Sequence, residues 1–172
     1  MAVFAPGGII QEVVNASSTR VNLSTTTTGT WFETSSAYRV SITPHLTNSK
    51  IVLRAFLPVN QQGGTNCLVN MTYQRSTNNG STWADISNIG TTAGQRRNMI
   101  TTVRPYGYDG NDATEHVFFG VDTPNTTSTC LYRMVFQFND GNANWYVNYS
   151  QYDNPHWQWT GCMTITATEV GS

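Results

Sequence analysis

The residues that could carry chemistry are few and scattered. Three histidines, His45, His116 and His156, fall in separate segments, and none sits in an HExxH or HxH arrangement of the kind that holds a metal. No GxSxG or phosphate-binding glycine loop is present. Catalysis needs titratable groups that converge. Glu115 and His116 are neighbours, but adjacent strand residues point to opposite faces. The acidic residues Asp109, Asp112, Asp122, Asp140 and Asp153 read as turn formers, because a short carboxylate side chain bonds its own backbone there. Asp109-Gly110-Asn111-Asp112 gathers side-chain oxygens as a calcium loop would, yet lacks the rest of that pattern, the glutamate at the twelfth position included. These residues predict a protein with no catalytic group, no metal and no cofactor.

Residues suited to surface contact are easier to find. Trp145, Tyr146, Tyr149, Tyr152, Trp157 and Trp159 crowd into residues 145–159. Flat rings beside Asn, Gln and Asp stack on sugars, and they equally pack against a sheet or a neighbouring subunit. Tyr152, Trp157 and Trp159 are therefore interaction candidates. Arg96 and Arg97 adjoin in a polar loop and suit a contact with a protein lattice. Met1 to Gly7 is a separable arm, and Val3, Phe4 and Pro6 are its contact candidates, since an extended segment can add a strand to a neighbour's edge.

The elements that must position these residues are strands. Only 11% of the chain is charged, against about 25% in ordinary soluble domains. Its polarity comes instead from 26 Thr, 17 Asn and 13 Ser, types that favour strand surfaces and turns. Net charge is -1 with no basic run, which argues against nucleic-acid binding. No apolar stretch reaches the roughly 20 residues of a membrane helix, so no membrane insertion is expected. The first eight residues lack a basic and an apolar region, so no secretory signal is expected there. Cys67, Cys130 and Cys162 read as buried free thiols, in keeping with synthesis in a reducing cytoplasm.

No helical period appears. Period-2 runs at Gly8–Asn15, Tyr38–Ile42, Lys50–Val59, Cys67–Arg75, Glu115–Val121, Ser128–Phe138, Trp145–Tyr149 and Gly161–Val170 alternate with turn clusters. Asn78-Asn79-Gly80-Ser81 predicts a hairpin. Val117, Phe119 and Val121 are expected to face inward. Lys50–Val59, apolar on both faces, is expected to be covered on both sides, with Pro58 at an edge or a strand end. The expectation is one all-β domain, 8–172, an antiparallel β-sandwich of jelly-roll kind, with residues 1–7 as its arm.

Several stretches, in order, resemble a β-sandwich domain of tailed-phage virion proteins. They are Gly7-Gly8-Ile9-Ile10-Gln11-Glu12-Val13-Val14, then Val40-Ser41-Ile42-Thr43-Pro44 with Thr47-Asn48-Ser49-Lys50-Ile51-Val52-Leu53. Asp122-Thr123-Pro124, Tyr132-Arg133-Met134-Val135-Phe136, Trp145-Tyr146-Val147-Asn148 and Thr164-Ile165-Thr166-Ala167-Thr168-Glu169-Val170 complete the set. The resemblance implies a virion location and a homo-oligomer, often a trimer. The chain departs from it in having no long shaft before the domain and a longer aromatic insert at Tyr146 to Trp159. It therefore looks more like a homotrimeric capsid decoration or cement protein, whose partners are itself and the major capsid protein. The alternative is a tail-fibre tip that binds host surface glycans.

Overall fold

The alternating runs form two antiparallel sheets in a computed structural model that describes residues 7–24, 29–62, 69–87, 101–103, 113–138, 144–150 and 160–172. In sheet I the centre is β5 (Lys50–Gln62). Strand β9 (Ala113–Asp122) pairs along one side of it. Along the other side β12 (Met163–Val170) and β11 (Asn144–Val147) lie end to end, paired with Lys50–Phe56 and Val59–Gln62 respectively. Beyond them, β1 (Ile9–Ser17) pairs with β12 and β2 (Val21–Ser24) with β11.

Sheet II is built the same way. Strand β10 (Cys130–Phe138) pairs with β6 (Val69–Ser76) on one side. On its other side β4 (Val40–Ile42) and β3 (Phe32–Glu33) lie end to end. Strands β7 (Ala84–Asp85) and β8 (Thr101–Val103) share the far edge of β6. Counting end-to-end segments as one position leaves four positions per sheet. In chain order, sheet I reads 6-3-8-1 and sheet II reads 2-7-4-5. That is the double Greek key of a jelly roll. The only helical element among the described residues is one 3-10 turn, Ser36–Tyr38.

The core follows the period-2 pattern where one face is clearly apolar. Ile51, Leu53, Ala55 and Leu57 of β5, Met163, Ile165 and Ala167 of β12, and Tyr132, Met134, Phe136 and Phe138 of β10 are all buried. Trp145 is fully buried, with Phe138 edge-on to it at 5.6 Å and the His116 ring stacked on it at 5.8 Å. The predicted hairpin is present: β6 and β7 pair, and Asn79 and Gly80 both have positive φ at the turn.

Three expectations are corrected. Strand β9 has the opposite phase: Phe118 is buried, while Val117 and Phe119 face solvent. Both phases are apolar, so alternation does not decide. What decides is Gly120, whose inner side lies against Tyr73 and has no room for a phenylalanine or valine. Second, among the described residues no element covers the back of β5: Arg54 is exposed and Val52 and Phe56 are half-buried. Third, Pro58 lies within a central strand. Its carbonyl accepts from the Asn148 amide at 3.1 Å, so its missing N–H falls at the gap between β12 and β11, where no ladder bond is lost.

The close approach at Gly120 gives a direct prediction. An added Cβ would lie 2.7 Å from Tyr73 Cδ2 and 3.0 Å from Ile86 Cδ1. The Tyr73 ring cannot swing away freely, because its hydroxyl donates to the Phe118 carbonyl at 3.1 Å. Gly120→Ala is expected to destabilise the fold by about 1–3 kcal/mol through overpacking. Urea unfolding would show it as a lower midpoint at constant slope, and an unchanged midpoint would mean that the ring yields.

Candidate functional site

The outward residues of sheet I form a lattice whose rows follow from the strand registers. Glu12, Thr168, Val52 and Val121 make one row. Val14, Thr166, Arg54 and Phe119 make the next. Ala16, Thr164, Phe56 and Val117 make the third. Glu115 follows on β9, opposite Pro58. Val14 is 56% exposed, Val117 52% and Phe119 60%. Isolated exposed apolar residues are ordinary, but a contiguous set of them marks a contact surface. Here they share one face with three threonines and two exposed cations of β5, Arg54 and, two rows away at the start of the strand, Lys50. Thr168 donates to Glu12 at 2.9 Å, which fixes the carboxylate at the β1 margin.

Three other carboxylates, Glu169, Asp122 and Glu33, serve the frame rather than this face. Glu169 points inward from β12 and is fully buried. It accepts from the His45 amide at 2.8 Å, the Leu46 amide at 3.1 Å, the Ser49 hydroxyl at 2.7 Å and Gln11 Nε2 at 2.7 Å. Burial alone would raise its pKa, but the hydrogen bonds from Ser49, Gln11 and His45 outweigh that and push it down to about 2. The result is a clamp on the corner where the chain passes from β4 in one sheet to β5 in the other. Asp122, expected in a turn, is instead the buried last residue of β9. It bonds Arg75 Nη1, the Tyr132 hydroxyl and Ser87.

A third cluster lies on sheet II. Glu33 accepts from Arg39 Nε at 2.7 Å and Arg133 Nη1 at 3.0 Å. Burial would raise its carboxyl, but the two arginines hold it below the usual range. The same two guanidiniums approach the Trp83 ring, at 5.0 Å for Arg39 and 4.1 Å for Arg133. This cation–π packing anchors the β6–β7 turn. His116 points away from Glu115, as alternation requires, and burial lowers its pKa, which favours the neutral ring stacked on Trp145.

The interaction candidates named from the sequence, Val3, Phe4, Pro6, Arg96, Arg97, Tyr152, Trp157 and Trp159, all lie outside the described residues. So do Asp109, Asp112, Asp140, Asp153, His156 and Cys67. Cys130 is buried as expected, but Cys162 is exposed, because it precedes β12 in a connection rather than sitting on its inner face. Among the described residues, no group of three or more His, Cys, Asp or Glu is placed to hold a metal, and no helix is long and apolar enough to cross a membrane. Period-2 reasoning missed the sheet I face. Its signal was the continuous run Val117-Phe118-Phe119, apolar in both phases.

No protein-family model matches this chain, and no curated protein is similar to it.

Proposed function

We propose that the protein is a non-enzymatic structural component of a tailed-phage particle, a homo-oligomeric decoration protein that seats on the capsid and stabilises it. The observation that carries this reading is the exposed face of sheet I, where Val14, Val117 and Phe119 stand open beside threonines and a few charges of both signs. A surface with that much exposed apolar area works by contact. The jelly-roll frame supports the reading, since viral capsid domains use that architecture. The resemblance of the ordered strand segments to phage virion domains supports it further. A protein that binds only the assembled shell stabilises it by linkage.

The test is location. The protein is expected to copurify with particles and to appear as density on the capsid surface in a particle reconstruction. Density at the tail tip instead would replace this reading with recognition of host surface glycans. Absence from particles would overturn both. The arm adds a second prediction: deleting Met1–Pro6 is expected to reduce occupancy on shells that lack the protein by about tenfold, the effect of about 1.4 kcal/mol of lost contact. Equal occupancy of the truncated and full chains in a co-sedimentation assay would exclude a tethering arm.

A further inference from the structure

We propose that the outer face of sheet I binds a second copy of this chain through Val14, Val117 and Phe119. This rests on the homo-oligomer part of the reading above and names the surface that makes it. The first argument is charge. Arg54 stands exposed near the middle of the face, and among the described residues no ion pair involves it. Glu12 lies at the β1 margin and Glu115 at the β9 margin, both exposed. A face carrying its cations, Arg54 and the equally exposed Lys50, along β5 and its anions on the two marginal strands is complementary to itself. It suits neither a polyanion, for which two cations flanked by two carboxylates are too little, nor a strongly charged protein surface of either sign.

The second argument is register. Turn a second copy over about the line between β12 and β5. Each row then meets its own reverse. Val14 meets Phe119, Ala16 meets Val117, and Thr164 meets Phe56. Arg54 meets Thr166, so the two arginines avoid each other. Each lies one strand and one row from the second copy's Glu12.

The third argument is area. Strands about 4.8 Å apart, each with about four outward residues roughly 6.7 Å apart, give a footprint on the order of 500 Å² per copy. Two copies bury on the order of 1,000 Å², which reaches the size of a specific interface. The sequence points the same way. The back of β5 reads as a covered face, and among the described residues nothing of this chain covers it.

The experiment measures mass in solution by light scattering across a dilution series, for the full chain and for Val117→Asp/Phe119→Asp. Both positions are exposed, and circular dichroism melting checks that the variant folds. A milder variant, Val117→Thr/Phe119→Thr, covers the case where it does not. The parent is expected to run as more than one copy, and the Thr variant to dissociate at about tenfold or more higher concentration. Arg54→Glu is expected to weaken association, and adding Glu12→Arg to restore it. A parent that stays at one copy at high concentration overturns the proposal, as does an oligomer indifferent to both double variants. Particle occupancy, measured separately, reports on the decoration reading. A monomer that still binds particles overturns only the pairing, and a pairing protein absent from particles overturns only the decoration role.

Discussion

Asp122→Ala is expected to lower the unfolding free energy by about 3–5 kcal/mol, the cost of removing one partner from a buried ion pair. Asp122 sits at the inner end of β9 in sheet I, yet its carboxylate bonds residues of sheet II. It accepts from Arg75 on β6, from the Tyr132 hydroxyl on β10 at 2.9 Å, and from the Ser87 amide and hydroxyl just after β7 at 3.0 and 2.9 Å. Alanine leaves the part-buried Arg75 without its anion and the buried Tyr132 hydroxyl without an acceptor, and the hydroxyl cannot reach water cheaply. The measurement is urea unfolding of Asp122→Ala, Arg75→Met and the double variant. Strong coupling is expected, so the double variant should lose much less than the two single losses added together. A loss below about 1 kcal/mol for Asp122→Ala would show that the pair does not join the sheets.

The second large effect is a pH dependence set by Glu169. Its folded pKa, about 2, lies below the ordinary glutamate value, so the folded state favours the charged form. A depressed carboxylate contributes stability that is fully present above its unfolded pKa. That stability is lost as pH falls through the folded pKa. The loss runs from about pH 5 down to about pH 2 and amounts to about 3 kcal/mol. Glu169→Gln is expected to be less stable than the parent at pH 7, and the gap should shrink steadily across that window. Urea midpoints at several pH values would show it. A gap that stays constant down to pH 2.5 would mean that the residue acts through packing rather than through its charge.

The sequence made the sheets legible wherever one strand face is apolar and the other polar. Strand β12, with Met163, Ile165 and Ala167 opposite three threonines, is the clearest case. Strand β9 was not legible in that way, because Val117, Phe118 and Phe119 satisfy either phase, and the deciding contact, Gly120 against Tyr73, joins two sheets. The buried acids were hidden for a related reason. Asp122 precedes Thr123-Pro124 and looks like a turn residue, but its partners, Arg75, Ser87 and Tyr132, lie 10 to 47 positions away. Glu169 has the outward look of an edge charge until Gln11, His45 and Ser49 are folded around it. The most informative error was the phase of β9. A strand that puts its larger apolar set outward departs from the folding pattern at a place where association can reward it.

The end-to-end arrangement of β11 and β12 has a consequence for how such a chain can diversify. Both segments run in one direction along β5, and each has its own register partners: β2 on one, β1 on the other. The chain leaves and rejoins that line through the Tyr149–Thr160 bridge and the bond from the Gly161 amide to the Asn148 carbonyl at 3.0 Å. A socket of this kind separates the length and content of what is inserted from the alignment of everything around it. The pairings of β11 and β12 with β5, β2 and β1 are thus closed by bonds between described residues on either side of 151–159.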